Sequence, residues 1–271
     1  STFTIFSQWS IESVLKHHPC ADIRVLSPTL PLQFFATLRD LGYQIRVVRF
    51  DLKTLEPFMP ASGTPGAKVA SQLRVNFAKG TNGRIATAQA SDIMRMLVIY
   101  EHGGSYIDLD HIVLRPMHDL RNVVGSELCP MGGKCMKREK MARFLPREQV
   151  SSSHRSDYTQ EGRSQFQPDT LYTPCNGVLV NWKPRHPVFK LLLEEAGESY
   201  DTGCWSCLGP QLWGAVLQSK ELRARRDLDH SFSVVAPGVI YPFDFMVNVK
   251  HCRIRVLRTE KYVSKHRPYG V

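Results

Sequence analysis

The stretch SDIMRMLVIYEHGGSYIDLD, residues 91–110, contains the most regular pattern of the chain. Its first half lies in a predicted helix, Ala88–His102, whose apolar residues recur at helical spacing. Gly103-Gly104 then supplies the left-handed cap that ends such a helix. A strand is predicted from Ser105 to Leu114, and Pro116 stops it. The pattern therefore places a helix, a tight turn and a strand in immediate succession.

Two carboxylates, those of Asp108 and Asp110, lie on this predicted strand. Because side chains alternate between the faces of a strand, both point the same way with Cα atoms roughly 6.6 Å apart, while Ile107, Leu109 and Val113 face the core. Like charges on one side of a buried strand are unfavourable unless one is protonated or a cation lies between them. Mg²⁺ or Mn²⁺ takes oxygen ligands and is commonly completed by substrate phosphates. A bare D-x-D also fits an exposed strand end or a turn cap.

Asp92 and Arg95 lie three residues apart and share one face of the predicted helix. The simplest interpretation is an ordinary helical ion pair worth about 0.2–0.5 kcal/mol. Ser91 or Asp92 can equally serve as an N-cap.

The first fifty residues alternate strand and helix patterns. Strands are predicted at Thr2–Ser7, Asp22–Ser27 and Tyr43–Phe50, with helices at Ile11–His18 and Pro31–Asp40 between them. This order with short links implies parallel strands joined by right-handed crossovers. No G-x-G-x-x-G or Walker loop opens either helix, so neither a dinucleotide site nor a P-loop is supported.

Residues 130–175 mix charged residues, Ser and Pro without periodicity and are predicted to form a long surface excursion, which tends to be functional at such a length. The elements predicted after it are a strand at Asn176–Trp182, helices at Pro187–Tyr200 and Gln211–Arg223, and a strand at Phe232–Ala236. The length of the chain allows one large domain or two small ones.

The charge of the chain is concentrated near its end. The 271 residues carry a formal net charge of +10. Lys250–Arg267 contains seven Lys or Arg and one Glu, so this segment alone carries +6. Such a distribution argues against a nucleic-acid-binding face spread over the fold, and a charged end that meets a phosphate, an acidic glycan or an acidic membrane is the simpler interpretation.

Seven cysteines are an odd number, so at least one cannot pair within the chain. Cys204-Trp-Ser-Cys207 has the spacing of a redox pair, but it follows a predicted helix end instead of opening a helix after a strand. A structural disulfide is the preferred interpretation, with inert thiols, zinc binding and redox chemistry as alternatives. A disulfide favours a secretory compartment.

The pattern from Ser91 to Asp110, with Tyr100, Gly103-Gly104 and Tyr106 inside it, resembles family 32 of the D-x-D sugar transferases, a family of α1,4-galactosyl- and α1,4-N-acetylglucosaminyltransferases. The resemblance extends over nearly the whole chain. The further segments that carry it are Ile11–Val14 with His18-Pro19, Val113–Pro116, Asn176–Val178 with His186-Pro187, Gly209-Pro210 and Tyr241-Pro242. It implies an α/β fold of the GT-A type, with a Rossmann-like, mostly parallel sheet and flanking helices. It also implies one catalytic domain, residues 1–271, with a donor- and metal-binding half at 1–116 and an acceptor-side half at 117–271.

The resemblance also implies an activity and roles for residues. The enzyme would transfer galactose or N-acetylglucosamine, with retention, from a UDP-sugar to a hydroxyl of a glycan, glycolipid or glycoprotein. Asp108 and Asp110 would bind Mn²⁺ (or Mg²⁺) and through it the donor diphosphate, with Asp110 the more direct ligand. Asp92 and Arg95 would hold the donor sugar. Asp92, Arg95 and Asp110 are thus the predicted catalytic residues, and no protein nucleophile is required.

Further residues are candidates for the donor site. Phe6 or Trp9 can stack on uracil if the first strand ends at the base, although a core aromatic is the commoner role. Asn176 can contact donor or acceptor, or merely fix a turn. The imidazole of His111 is assigned a structural or exposed role, as are His251 and Cys252.

The ends of the chain carry two expectations. The chain begins inside an apolar strand pattern, so we expect residues before Ser1, including the anchor of a type II membrane protein of the Golgi lumen or secretory pathway. Family members continue after a tripeptide like Tyr269–Val271 into His-x-Trp, whose His completes the metal site. A sugar-binding protein without turnover and a metal-dependent nucleic-acid enzyme are the alternative functions. The latter needs further acidic ligands at the site.

Overall fold

The computed structural model describes residues 3–51, 53–80, 83–128, 136–137, 171–228, 231–235 and 240. The helices are α1 (Ile5–His17), α2 (Ala36–Asp40), α3 (Ala67–Ala78), α4 (Gly83–His102), α5 (Pro187–Glu198), α6 (Pro210–Gln218) and α7 (Lys220–Ala224), followed by a 3₁₀ turn at Arg226–Leu228. The strands are β1 (Ile23–Ser27), β2 (Ile45–Arg49), β3 (Gly104–Ile107), β4 (Val123–Leu128), β5 (Met136–Lys137), β6 (Leu171–Trp182) and β7 (Ser233–Val235).

Helix α1 begins earlier than the sequence pattern indicates. The Thr4 side chain accepts a hydrogen bond from the Ser7 backbone N–H, and the Ser7 hydroxyl accepts one from the Thr4 N–H. This reciprocal cap satisfies two donors at the helix start. The prediction of a strand at Thr2–Ser7 is therefore wrong, because the cap outweighs the β-propensity of a short apolar run.

Strands β1 and β2 pair in parallel, with Ile23 opposite Ile45 and Val25 opposite Val47. Helix α2 lies in the crossover between them, as the alternating pattern predicts. The apolar faces of this unit pack together with α1. The buried residues of this cluster are Ile11, Leu15, Val25, Phe35, Ile45 and Val47.

A second sheet has the order β3-β6-β4-β7, with β5 also paired to β6. Strand β6 runs antiparallel to β3, β4 and β5, and β4 runs parallel to β7. The chain is thus an α/β protein with flanking helices, consistent with the GT-A class. Within the described residues, parallel pairing is confined to β1–β2 and β4–β7.

The turn between α4 and β3 is tight, as the paired glycines predict. Gly103 has φ +67° and its N–H closes the helix on the Ile99 carbonyl at 2.8 Å. A Cβ at residue 103 would lie 2.6 Å from the Trp182 carbonyl oxygen. Only glycine therefore lets this turn lie directly against β6, which fixes where β3 leaves the helix.

Other elements differ from expectation in detail. Helix α3 is not predicted by the sequence reading. The helix predicted at Gln211–Arg223 is divided at Ser219, whose backbone is extended and whose hydroxyl accepts a hydrogen bond from Leu222 N–H. Residues 171–175 of the predicted excursion belong to β6. The rest of the excursion apart from β5, and the basic segment Lys250–Arg267, lie outside the described residues.

Within the described ranges, no helix combines the length and the apolar character needed to cross a bilayer.

Candidate active site

The D-x-D residues lie in a turn directly after β3. The strand ends at Ile107, and the Asp108 N–H still donates to the Gly177 carbonyl of β6 at 2.8 Å. The His111 N–H then donates to the Asp108 carbonyl and closes the turn. The predicted strand therefore ends early, and Leu109 is 36% exposed instead of facing the core. Val113 is buried as expected.

The two carboxylates occupy different environments. Asp108 is largely covered, and its Oδ2 accepts from Arg95 Nη1 at 2.9 Å while its Oδ1 accepts from the Tyr106 hydroxyl at 2.8 Å. The Asp110 side chain is 82% exposed, and its Oδ1 lies 2.8 Å from His111 Nδ1. This hydrogen bond lowers the pKa of Asp110. Asp110 is thus the open carboxylate of the pair, and Asp108 is the fixed one.

The ligand atoms of Asp108, Asp110 and His111 all lie within 4.8 Å of one another. Ligands of a Mg²⁺-sized ion lie about 3.0 Å apart when adjacent and about 4.2 Å apart when opposite, so the three side chains are near enough to share an ion after a modest closure. Two carboxylates with one imidazole suit Mg²⁺ or Mn²⁺. The residues present therefore fit a divalent cation.

His111 is the residue that sequence reasoning missed. A role as structural or exposed was expected, but its side chain stands beside Asp110. The available signal was its position directly after the second Asp of the motif. Among the residues that the structure describes, no other group of three such side chains has metal-ligand spacing.

Arg95 joins helix α4 to the D-x-D turn. Besides Asp108, its Nη1 donates to the Asn176 carbonyl at 3.0 Å, and its Nη2 donates to the Ser91 hydroxyl at 3.1 Å. The guanidinium carbon lies 4.6 Å from the centre of the Tyr106 ring, a cation–π distance. Burial opposes its charge, but its interactions with Tyr106, Asp108 and Asp92 outweigh burial and raise the pKa of Arg95. Arg95 is therefore a permanent buried cation.

Asp92 is a buried residue of the interior of α4. The helix begins at Gly83, so the N-cap interpretation of Ser91 or Asp92 is wrong. Asp92 Oδ1 accepts from Asn176 Nδ2 at 3.1 Å and lies 3.7 Å from Arg95 Nε. Burial raises the pKa of Asp92 to about 6, against the opposing effects of Arg95 and Asn176. The ordinary helical ion pair predicted from the sequence would be exposed to solvent, whereas the Asp92 carboxyl is buried.

The structure brings Asp92, Arg95, Asp108 and Asn176 into one network, with Asp110 open beside Asp108. Phe6 is not joined to this network by any described hydrogen bond or ring contact. It lies on α1, half exposed, with its ring 5.4 Å from that of Trp9 in an edge-on arrangement. The expectation that these aromatics stand at a strand end is wrong, because residues 5–17 are helical.

The Cys204–Cys207 disulfide is present, as preferred from the sequence. It closes a loop between α5 and α6, directly before Gly209. A Cβ at residue 209 would lie 2.9 Å from Asp92 Oδ2 and 3.1 Å from Asn176 Oδ1. The segment directly after the disulfide loop therefore packs against Asp92 and Asn176 of the buried network.

Comparisons with known proteins define the class. Residues 7–128 match the family described as "Glycosyltransferase sugar-binding region containing DXD motif", and residues 69–190 match the "TcdA/TcdB catalytic glycosyltransferase domain". Each of these matches covers less than half of the chain, and together they make the chain similar to glycosyltransferases with a DXD motif.

Sequence identity to individual relatives is low. The chain is 30% identical over 149 residues to an uncharacterized protein of Arabidopsis thaliana, covering 53% of this chain and 22% of that one. It is 22% identical over 247 residues to human lactosylceramide 4-alpha-galactosyltransferase, covering 86% of this chain and 54% of the relative. The chain thus spans at most about half the length of these relatives. Among solved structures, the PaToxG glycosyltransferase matches with a TM-score of 0.43 and 18% identity, over 83% of this chain and 70% of that chain.

The raised pKa of Asp92 predicts a pH-dependent cost to stability. In the unfolded chain this carboxyl has a pKa of about 3.9, so between about pH 4 and pH 6 the folded state binds more protons than the unfolded state. The free energy of unfolding therefore falls as the pH rises through this window. We expect Asp92→Asn to remove this loss, so that the stability of the variant relative to wild type rises by about 2 kcal/mol between pH 4.5 and pH 7.5.

Urea unfolding at the two pH values measures this difference. Because Asn keeps the size of the side chain, packing contributes equally at both pH values and cancels. A stability difference that does not change with pH would contradict the assignment of Asp92 as a carboxyl strained by burial.

Proposed function

We propose that this chain is a retaining, metal-dependent glycosyltransferase that moves galactose or N-acetylglucosamine from a UDP-sugar to a hydroxyl of a glycan, glycolipid or glycoprotein. The observation that carries the proposal is the bond between Arg95 and Asp108. It ties the buried Asp92–Arg95 pair of α4 to the open D-x-D turn. A sugar held by the Asp92–Arg95 pair and a diphosphate held at the D-x-D turn would have a fixed relative position, which transfer requires.

The metal would be held by Asp108, Asp110 and His111, as their mutual spacing allows. When bound, Mn²⁺ or Mg²⁺ neutralises charge that develops on a departing diphosphate. Asp108 is oriented for this role by Arg95 and Tyr106, which occupy one carboxylate oxygen each. Asp110 has most of its surface free and is the more direct ligand.

Asp92 and Arg95 would bind the donor sugar. Four of the five N–H groups of Arg95 donate to protein groups, and one N–H of Nη2 has no partner among the described residues. That N–H and the carboxylate of Asp92 are available to sugar hydroxyls. Asn176 Nδ2 donates to Asp92 Oδ1, and the Asn176 backbone carbonyl accepts a hydrogen bond from Arg95. The role of Asn176 is therefore to position both side chains.

The transfer step needs no covalent intermediate with the protein. The bond between the anomeric carbon and the β-phosphate oxygen breaks, and its electron pair leaves with UDP. The acceptor hydroxyl oxygen forms the new bond on the same face of the sugar, and its proton passes to the departing phosphate oxygen. The products are UDP and an α-glycoside, and the buried positive charge of Arg95 favours the developing negative charge.

Two further parts of the proposal concern the whole protein. The human relative is named for adding galactose, in 4-alpha linkage, to lactosylceramide, which supports a UDP-galactose donor and a β-galactoside acceptor here. The Cys204–Cys207 disulfide supports a secretory location such as the Golgi lumen.

UDP release tests this function. UDP-galactose, UDP-N-acetylglucosamine and UDP-glucose are each incubated with the protein, with Mn²⁺ or with EDTA, and with or without methyl β-lactoside and methyl β-N-acetylglucosaminide. We expect one donor to release UDP only with the metal, and the product to be an α-glycoside by NMR. Metal-dependent binding without UDP release would favour a non-catalytic sugar-binding protein, and release that survives EDTA would contradict the metal.

A further inference from the structure

An exposed tryptophan stands on the disulfide loop beside the buried network. Trp205 lies between the bridged residues Cys204 and Cys207 and is 60% exposed, whereas Leu208 and Gly209 immediately after the loop are buried. Tryptophan is highly buried on average, because its large apolar surface is costly to leave in water. An indole held in solvent on a short closed loop therefore points to a ligand.

The loop is fixed to the structure on both sides of Trp205. Gln89 Nε2 donates to the carbonyl of Cys204 at 2.9 Å and to that of Asp201 at 2.6 Å. On the other side, the Ser206 carbonyl accepts from the N–H groups of Gly209 and Gln211. With the disulfide, these bonds leave the backbone around Trp205 little freedom. The indole is thus presented by a rigid support, which lowers the entropy lost when a ligand binds.

The position of the loop follows from three residues along α4. Gln89 holds the disulfide loop, Asp92 lies next to Gly209 and Asn176, and Arg95 holds Asp108 of the D-x-D turn. These residues are three apart, so they follow one another along the helix. From Gln89 to Arg95 the helix rises about 9 Å. Along the axis of α4, the residue that holds the metal group and the residue that holds the disulfide loop therefore lie on opposite sides of Asp92.

This order assigns a place to the acceptor. If the diphosphate lies at the D-x-D turn and the donor sugar at Asp92, the next group along α4 is the loop that carries Trp205. We infer that the Trp205 indole is a platform for the acceptor, stacking on the apolar C–H face of a pyranose ring. The inference rests on the proposed function and adds the residue on which the acceptor sugar would stack. Aromatic faces and a few placed polar groups are the usual lining of such sites.

Trp205→Ala and Trp205→Phe test the inference. With methyl β-lactoside as acceptor and the active UDP-sugar as donor, we expect Trp205→Ala to raise the acceptor KM about 10-fold, the scale of one aromatic stacking contact. Trp205→Phe keeps a ring and is expected to lose less. UDP release without acceptor, which is transfer of the donor sugar to water, is expected to stay within twofold of wild type.

Val75→Ala is the matched control, since Val75 is 53% exposed on α3 and its loss removes a similar kind of surface. An acceptor KM within twofold of wild type in Trp205→Ala, or an equal rise in Val75→Ala, would overturn the inference. So would a loss seen only with a glycolipid in phosphatidylcholine vesicles, because the indole would then contact membrane. Donor hydrolysis with no response to either methyl glycoside counts against the acceptor platform alone, whereas absence of donor hydrolysis in wild type counts against the proposed function.

Discussion

Asp110→Asn is expected to reduce UDP release and sugar transfer by about 10²–10⁴-fold, the scale of several kcal/mol that a correctly held metal contributes. The substitution removes one negative charge from the group formed with Asp108 and His111. Its effect on stability is expected to be small, because the side chain is 82% exposed and its ion pair is with His111 alone among the described residues. The melting temperature should stay within about 2 °C of wild type.

Asp119→Asn provides the control for this variant. Asp119 is also an exposed carboxylate beside a histidine, with its Oδ1 3.5 Å from His118 Nε2, but it lies outside the D-x-D turn. We expect it to keep wild-type activity. Titration with Mn²⁺, followed by calorimetry and by UDP release, should show weaker metal binding only in Asp110→Asn. An unchanged Mn²⁺ dependence in that variant would remove Asp110 from the metal site.

Arg95→Met is expected to abolish transfer and also to destabilise the fold. Loss of the guanidinium leaves two buried or half-buried carboxylates, Asp92 and Asp108, without their cation. Removing one partner of a buried ion pair costs about 3–5 kcal/mol. For a chain of this size that corresponds to a fall in melting temperature of about 6–20 °C. Activity should fall about 10³-fold or more, because Asp108 also loses its orientation.

Two further variants separate charge from geometry. Arg95→Lys keeps the positive charge, but an ammonium cannot reach Asp108, the Asn176 carbonyl and Ser91 together as the planar guanidinium does. It is expected to recover part of the stability and little activity. Arg185→Met removes an exposed arginine paired with Glu101 at 3.0 Å and should leave the melting temperature close to that of wild type, because exposed ion pairs contribute little to stability. Wild-type activity in Arg95→Met would contradict the central position of this residue.

The parts of the fold that sequence reasoning predicts correctly are those set by local chemistry. The glycine pair after His102 ends α4 where expected, and the alternation around β1 and β2 yields a parallel pair. Errors arise where a few side-chain hydrogen bonds decide the outcome. The Thr4–Ser7 cap turns a predicted strand into helix, and the turn at Asp108–His111 ends β3 early.

The candidate site is predicted only in part, because its central contacts join residues that are distant in sequence. The D-x-D pair and the Asp92–Arg95 pair can be read from the motif, but the 2.9 Å bond between Arg95 and Asp108 depends on how closely β3 returns along α4. Asn176 comes from a strand far along the chain and binds both members of the helical pair. No local pattern shows that Asp92 is deeply buried while Asp110 stays open.

The glycine at residue 103 has a consequence for protein engineering. Any side chain there would collide with the carbonyl of Trp182 and with the backbone of Pro184, so the length of chain between Arg95 and Asp108 cannot adjust by local bending. Insertions or deletions in residues 96–107 would shift Arg95 relative to Asp108, even where the inserted residues point to solvent. Libraries that seek new sugar specificity should therefore keep this segment at constant length and vary its neighbours on β6 and in the disulfide loop.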